Sequence, residues 1–246
     1  MKIEVILTPA ELPALARRDL RQTGCVVFDA LRATSTIVTA LHNGAKAIVP
    51  VSEISEALAI RKKQPEVLLG GERDGVKIRA AQAGGIDFDF GNSPREYTVD
   101  RVRGRTIVST TTNGTRALRA CAGAKTVLAA SLLNLEATAK YIRQLRAAHV
   151  LLVCAGTREN TALEDVLAAG ALCDLLAGEL SDSAEIAHRA HAQAKSDLPG
   201  AICNSENARR LLSIPELRDD VAFCLQRDIF PLVARLDDDG AIRTSI

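Results

Sequence analysis

The chain has 246 residues, of which 47% are apolar and 25% charged, so it can bury a sizeable core. Its formal net charge is +1, and only 3% of its residues are aromatic. These values exclude a basic, ring-bearing nucleic-acid surface, and we expect no nucleic-acid partner. The first apolar run is too short for a signal peptide or a membrane span, which predicts a cytoplasmic protein with no membrane partner.

Short apolar runs alternate with amphipathic segments up to about residue 180. The runs predict strands at IEVIL, VVFDA, AIVPV, EVLLGG, TIVST, TVLAA and HVLLVCA. Helical periodicity covers 34–43, 53–64, 113–122, 134–148 and 161–178. The alternation predicts one layered α/β/α domain over 1–246, with helices on both faces of a mostly parallel sheet.

The pattern changes after residue 180. Helices are predicted over 183–195, 204–212 and 219–229, followed by a hairpin around Asp239 and Gly240. No linker rich in Pro, Gly or Ser separates this part from the rest of the chain. We therefore expect it to pack on the same domain.

Two segments of the chain resemble each other at an offset of seventy-nine residues, fixed by the GAK triplets at 44–46 and 123–125. Each contains a strand, a hydroxyl-rich loop, a helix and a second strand, which suggests an internal repeat over 26–60 and 105–140. Few other positions are identical, so a chance recurrence of one βαβ unit is the alternative. Either way, two similar loops follow two strands.

The first loop lies in VVFDALRATSTIVTAL, residues 26–41, where a strand ends at Asp29 and a helix begins near Thr34. A helix start beside Arg32 suits an anion, because it offers backbone N–H groups and a permanent charge. Asp29 then indicates a divalent cation between itself and a phosphate. The alternative is that the hydroxyls cap the helix while Asp29 bonds the backbone. The hydroxyl candidates are Thr34, Ser35 and Thr36.

The second loop, STTTNGTRAL at 109–118, has more hydroxyl groups than one helix cap requires. Gly114 permits a close approach of the backbone to a ligand. The Walker pattern GxxxxGK[ST] is absent, so this is a different kind of anion-binding loop. Its candidate substrate-binding residues are Thr111, Thr112, Asn113, Gly114, Thr115 and Arg116.

The segment LGGERDGVKIRAAQAGGIDFDFGNSPREYT, residues 69–98, is long and rich in glycine, which favours a functional loop. It delivers Glu72 and Arg73 to the edge of the sheet where open α/β sheets bind ligands. Asn92 and Ser93 begin a short helix or a tight turn, or contribute to a site.

The third strand–loop–helix unit, VLLVCAGTRENTALEDVLAAG, places Glu164 and Asp165 in the first turn of a helix. Acids there commonly complement the helix dipole, and that is the alternative to a metal site. Arginines recur in these loops, which suits a small polyanion better than an apolar metabolite. The four histidines lie outside the loops, so histidine acid–base catalysis is not expected.

Taken together, FDALRATST, LGGERDGVKI with FDFGNSP, TTTNGTRAL, and CAG followed by ALEDVLAAG resemble the 2-phosphosulfolactate phosphatase (ComB) family. The likeness runs in order from about residue 25 to 170, and CLQRDIFPLV in the tail is similar too. It implies the family's own α/β fold and an Mg²⁺-dependent phosphatase that converts 2-phospho-3-sulfolactate to sulfolactate and phosphate. This is a step of coenzyme M biosynthesis, although members also occur where coenzyme M is not made.

The resemblance and the loops together give a hypothesis for the site. Some of the four acids hold Mg²⁺, the two hydroxyl-rich loops hold the phosphoryl oxygens, and three arginines neutralise charge. The nucleophile is either a water or a side chain such as Asp29; the missing DxDx[TV] pattern favours water. The acids are Asp29, Glu72, Glu164 and Asp165, and the arginines are Arg32, Arg73 and Arg116.

A noncatalytic sensor of a small polyanion or nucleotide is the rival hypothesis. A pure anion binder gains nothing from carboxylates beside its ligand, so the acids favour an enzyme acting on a small anionic phosphoester. Assembly into a homo-oligomer is left open by the sequence.

Overall fold

A computed structural model describes residues 1–15 and 17–245. The strands are β1 Lys2–Ile6, β2 Thr23–Phe28, β3 Ala47–Pro50, β4 Leu68–Arg73, β5 Val76–Lys77, β6 Thr106–Thr110, β7 Thr126–Ala130, β8 His149–Cys154, β9 Glu179–Leu180, β10 Val233–Leu236 and β11 Ile242–Ser245. The helices are α1 Leu12–Leu15, α2 Ala33–His42, α3 Ile54–Lys63, α4 Val99–Val102, α5 Gly114–Ala120, α6 Leu135–Leu145, α7 Leu163–Leu176, α8 Asp182–Ala194, α9 Leu198–Cys203, α10 Glu206–Ser213 and α11 Arg218–Cys224.

The strands form one sheet in the order β5-β4-β6-β3-β11-β10-β7-β2-β8-β1-β9. Six of the pairings between neighbours are parallel and four are antiparallel, which confirms the mostly parallel sheet. The predicted hairpin at Asp239 and Gly240 is also confirmed, as β10 and β11. Its position was not predicted: it pairs with β7 on one side and β3 on the other, between two parallel halves.

Both faces of the sheet are covered, which makes the fold a layered α/β/α arrangement. Along β2, Val26 and Phe28 belong to one apolar core, and Cys25 and Val27 belong to another. Successive side chains of a strand point to opposite faces, so a fully buried strand needs apolar residues at every position. The cores are completed by α6 and α7 on one face and by α2 and α5 on the other.

The three strands nearest the central hairpin on one side correspond to the three nearest on the other. Counted outward from the hairpin, they are β3, β6 and β4 on one side and β7, β2 and β8 on the other. The unit β2–α2–β3 crosses the hairpin in one direction, and β6–α5–β7 crosses it in the other. A duplication of one βαβ unit would produce this order, and duplication stays a prediction.

Among the described residues, none of the helices combines the length and the apolar character needed to span a membrane. The long segment 69–98 is built of β4, β5 and two single turns of 3-10 helix at Ala80–Gln82 and Pro94–Glu96. The second of these turns, with Ser93 at its N-cap position, is the short helix that the sequence indicated at Asn92 and Ser93.

Candidate active site

A small cleft of about 40 Å³ opens where the loops after β2, β4, β6 and β8 meet α10. Each loop begins where a parallel strand ends, which is the usual place for ligands in open α/β sheets. The lining residues are Asp29, Leu31, Arg32, Glu72, Asp74, Gly75, Asn92, Thr112, Asn113, Thr157, Arg158, Asn207 and Arg210.

Asp29 follows β2 directly, and the backbone of α2 fixes its side chain. Its Oδ1 accepts the Ala33 N–H at 3.0 Å. The Thr34 hydroxyl accepts the Asp29 N–H at 3.0 Å and donates to the Asp29 carbonyl at 2.9 Å. Asp29 therefore both bonds the helix start, as the alternative interpretation held, and lines the cleft.

The other oxygen of Asp29 faces Gly114 at the start of α5. A β carbon built on Gly114 would lie 2.8 Å from Asp29 Oδ2 and 2.7 Å from the Ala33 β carbon. A side chain at this position would therefore collide with both. The sequence predicted that Gly114 lets the backbone approach a ligand closely. In the structure, its close neighbour is the carboxylate of Asp29.

Burial raises the pKa of Asp29 to about 7. This value is a net result: the negative charges of Glu72 and Glu164 add to the effect of burial on the pKa, while the Ala33 N–H and the Arg32 charge act in the opposite direction. Glu72 and Glu164 thus lie close enough to Asp29 to act on its charge, although the three positions are spread over more than half of the chain. Such a cluster is stabilised by a proton or by a cation.

Glu72, at the end of β4, joins two loops of the cleft. Its Oε1 accepts the Thr112 N–H at 2.7 Å, and its Oε2 accepts the Gly75 N–H at 2.6 Å. Hydrogen bonds from backbone N–H groups to a carboxylate are short and strong. Glu72 therefore fixes the turn after β4 against the loop after β6.

Asp165 and Glu164 begin α7 and differ in their partners. Asp165 accepts the Ala30 N–H at 2.8 Å and the Gly156 N–H at 3.0 Å, so both of its oxygens hold loop backbone. Burial, followed by the charges of Asp29 and Glu164, raises the pKa of Asp165 well above its usual range. Glu164 Oε1 accepts from Asn207 at 2.7 Å. Its Oε2 is buried and has no hydrogen-bond partner within residues 1–15 and 17–245.

These acids can be tested as magnesium ligands. Within the described ranges, no group of three or more His, Cys, Asp or Glu side chains is assembled to hold a metal ion by itself. Mg²⁺ however keeps several waters and commonly takes only one or two carboxylates together with substrate oxygens. Asp29 Oδ2 and the unpartnered Glu164 Oε2 are oxygen donors of the right chemistry. The residues therefore fit Mg²⁺ bound with few protein ligands.

Arg32 is buried against the tail of the chain. Its Nη1 donates to Asp220 Oδ2 at 2.7 Å, and its Nη2 donates to the Gly75 carbonyl at 2.6 Å. The other oxygen of Asp220, which belongs to α11, accepts the Ser93 hydroxyl at 2.7 Å. Breaking a buried pair of this kind leaves an unpaired charge, so Asp220 holds Arg32 in place.

The structure brings six of the candidate residues to the lining of the cleft: Asp29, Arg32, Glu72, Asn92, Thr112 and Asn113. Ser93 and Glu164 lie behind the lining. Ser93 bonds Asp220, which is the partner of the lining residue Arg32, and Glu164 bonds the lining residue Asn207. The remaining candidates lie outside the lining: Arg73, Thr34, Ser35, Thr36, Thr111, Gly114, Thr115, Arg116 and Asp165.

The hydroxyls of the first loop bond carbonyl groups. Ser35 donates to the Ala30 carbonyl at 2.8 Å, and Thr36 donates to the Asn92 carbonyl at 2.9 Å. Asp29 accepts the N–H groups of Ala33 and Thr34, and the Arg32 carbonyl accepts that of Thr36, so these three are not the unpaired donors that the sequence indicated. A buried hydroxyl requires a partner, and the nearest carbonyls supply it.

The Thr115 hydroxyl in the second loop and the side chains of Arg73 and Arg116 also bond other groups of the protein. Thr115 donates its hydroxyl to the Thr111 carbonyl at 2.9 Å. Arg73 reaches the Thr110 hydroxyl at 3.0 Å and the Ser52 carbonyl at 3.3 Å. Arg116 forms an exposed pair with Glu159 at 2.7 Å.

Sequence reasoning missed several residues of the site, namely Asp74, Gly75, Asn207, Arg210 and Asp220. For Asp74 and Gly75 a signal existed, because Asp-Gly between two strands is a strong hairpin signature. The other three lie on amphipathic helices of the tail, where polar residues ordinarily form the solvent face.

Similarity to known proteins extends over nearly the whole chain. A sequence model of the family described as 2-phosphosulpholactate phosphatase matches residues 7–239. A probable 2-phosphosulfolactate phosphatase of Caldanaerobacter subterraneus subsp. tengcongensis is 40% identical over 234 residues, which is 93% of each chain. A protein of the same description from Thermotoga maritima is 42% identical over 86% of this chain and 88% of its own. Another, from Clostridium acetobutylicum, is 36% identical over 95% and 96%.

Proposed function

The chain belongs to the 2-phosphosulpholactate phosphatase family, and from that premise we propose that it hydrolyses 2-phospho-3-sulfolactate, or a similar small phosphorylated hydroxy acid, to the hydroxy acid and phosphate. It is a phosphoric monoester hydrolase in this proposal. The observation that carries it is that Asp29 and Glu72 line a cleft with three arginines, and that Glu164 bonds Asn207 of the same lining. Carboxylates beside an anion site repel the anion unless a cation binds both the carboxylates and the anion.

Mg²⁺ is the cation that we propose. Asp29 and Glu164 would hold it, since each has a carboxylate oxygen without a donor among the described residues. When bound, Mg²⁺ supplies Lewis-acid polarisation of the phosphoryl group. Glu72 and Asp165, whose oxygens all accept backbone N–H groups, hold the loops around the site.

The arginine at the base of the cleft balances charge on the transferred group. Arg32 uses two of its five N–H donors on Asp220 and the Gly75 carbonyl, and the side chain lines the cleft. A cation held in a buried, preorganised position stabilises developing negative charge without rearrangement. Thr112 and Asn113, at the start of α5, line the same cleft and offer neutral hydrogen-bond donors.

The first experiment measures phosphate release from a panel of phosphomonoesters, with Mg²⁺ or with EDTA. We expect turnover of 2-phospho-3-sulfolactate that needs Mg²⁺, because the acids would otherwise repel the phosphoryl group. Activity that persists in EDTA would remove the magnesium site from the proposal. Tight binding of the substrate with no turnover would instead favour the noncatalytic sensor.

The same assay on Asp29→Asn tests the assignment of residues. We expect turnover to fall by at least about 1,000-fold, because an amide is a poor ligand for Mg²⁺ and carries no charge. Asp238→Asn is the matched control, since Asp238 is exposed in the turn between β10 and β11. Near-normal turnover by Asp29→Asn, with circular dichroism unchanged, would exclude Asp29 from the chemistry.

A further inference from the structure

The charges that line the cleft are separated by depth. Asp29, Glu72 and Arg32 are all at most 8% exposed. The side chains of Asp74 and Arg158 are 83% and 77% exposed, and Arg210 is exposed as well. The acids that fit a metal lie at the floor, while two arginines lie at the rim.

Arg210 is held over the rim by two neutral contacts. Its guanidinium packs on Gly75, where a built β carbon would lie 3.4 Å from Arg210 Cζ. Its Nη2 also donates to Asn207 Oδ1 at 3.3 Å. Both contacts leave the charge of the guanidinium uncompensated.

Asn207 can present its oxygen to Arg210 because its amide nitrogen is already committed. That nitrogen donates to Glu164 Oε1 at 2.7 Å and to the Thr157 hydroxyl at 2.5 Å. The orientation of the amide is therefore fixed by a floor residue. The position of Arg210 is thus coupled to the acid that we assign to the metal.

Arg158, in the loop after β8, lines the same cleft as Arg210. The Arg158 N–H donates to Asn113 Oδ1 at 3.2 Å, which ties this loop to the loop after β6. Its guanidinium lies 3.9 Å from Asp74, in an exposed pair of the kind that contributes little to stability. Among the described residues, Arg210 forms no ion pair.

We propose that Arg158 and Arg210 form a rim subsite for the non-reacting anionic groups of the substrate, a carboxylate or a sulfonate. The inference rests on the proposed function, which places the phosphoryl group at the floor beside Asp29 and Arg32. The rest of a small substrate then extends toward the rim, where two guanidinium groups have donors to spare. The enzyme thereby selects phosphomonoesters that carry a further strong anion.

Kinetics with two substrates test the subsite. Isopropyl phosphate keeps the phosphorylated secondary alcohol and lacks both further anions. We expect Arg210→Ala and Arg158→Ala each to lower kcat/KM for 2-phospho-3-sulfolactate by about 10-fold or more, as for a lost hydrogen bond to a charged group. The kcat/KM for isopropyl phosphate should stay within about twofold of wild type, because its contacts lie at the floor. Arg209→Ala is the control, since Arg209 is the exposed neighbour of Arg210 and its side chain bonds only the Asn204 carbonyl in the described structure.

A binding measurement keeps the two proposals distinguishable. Calorimetric titration with sulfolactate needs no turnover, and we expect its Kd to rise about 10-fold in each variant but not in Arg209→Ala. If no phosphoester is turned over but this pattern holds, the proposed function fails and the rim subsite stands. If the variants bind sulfolactate as wild type does, or lose activity equally on both substrates, the subsite is wrong while the phosphatase activity stands.

Discussion

Gly75 is in contact with three charged residues of the cleft. Its N–H donates to Glu72, its carbonyl accepts from Arg32, and its α carbon lies under the guanidinium of Arg210. Its φ of +81° is one that residues with a side chain rarely adopt. A single turn residue therefore sets the distance between a floor acid, the buried arginine and the rim.

The first residue-scale prediction concerns Gly114→Ala. The new β carbon would collide with the Ala33 β carbon and Asp29 Oδ2, so Asp29 must move away from its place in the cleft. Displacing a catalytic group by a fraction of an ångström can cost about 10- to 100-fold in rate, and overpacking costs about 1–3 kcal/mol of stability. Steady-state kinetics and thermal unfolding of the variant measure the two effects.

A second substitution serves as the control for Gly114→Ala. Ala33→Gly removes one of the two colliding groups, so the double variant should recover part of the lost kcat. If Gly114→Ala keeps wild-type kcat, the carboxylate of Asp29 does not depend on this contact, and the prediction is contradicted.

Most of the residues that sequence reasoning placed in the cleft lie where a strand ends. Asp29 follows β2 and Glu72 is the last residue but one of β4, so their places at the sheet edge can be read from local patterns. Asp220 could not be found this way, because its partner Arg32 is 188 residues away along the chain. Arg73 adjoins Glu72 but reaches Ser52 and Thr110, and only the fold decides which of two neighbouring side chains enters the cleft.

At the scale of elements, α7 and α8 pack closely and bury a histidine. His191 on α8 is fully buried, and its ring nitrogens have no hydrogen-bond partner within the described ranges. Its Nδ1 lies 3.2 Å from Asp174 of α7, which also contacts His188 at 2.6 Å and Lys195 at 3.1 Å. Burial lowers the pKa of His191, and Asp174 opposes this only in part.

This packing predicts that stability falls at acidic pH. Because the pKa of His191 is lower in the folded than in the unfolded chain, its contribution is complete above the unfolded value near 6.5 and declines below it. Each unit of difference corresponds to about 1.4 kcal/mol. Urea unfolding at pH 7.5 and 5.5 should therefore show a drop that is smaller in His191→Gln. The exposed His149→Gln should behave as wild type, and equal drops in all three proteins would contradict the prediction.

Elements with strong periodicity were predicted well, while the shortest ones were not. The observed α2, Ala33–His42, and α7, Leu163–Leu176, fall within two residues of the predicted bounds. The two-residue strands β5 and β9 carry no alternation of their own and form only because a neighbour offers backbone partners. The same reason explains the central hairpin: its turn is visible locally, but its pairing with β3 and β7 is set by residues far away.

At the scale of the whole molecule, the central hairpin joins two parallel halves, and the cleft draws on both. Asp29 follows β2 on one side of the hairpin, and Glu72 lies near the end of β4 on the other. Ile242 of β11 is fully buried and pairs with Ile48 of β3. If the halves are one cooperative unit, as a single domain requires, a cavity at the hairpin must weaken both together.

The last prediction is that Ile242→Ala lowers the free energy of unfolding by about 2–5 kcal/mol and leaves one transition. Fluorescent reporters or hydrogen exchange in β2 and in β4 should then show the same midpoint, shifted together. Ile186→Ala is the control, because Ile186 is 56% exposed and its loss should cost less than about 0.5 kcal/mol. Two separated transitions in Ile242→Ala would mean that the halves unfold independently. The cleft would then be an interface between two domains, and its activity would be lost at the first transition.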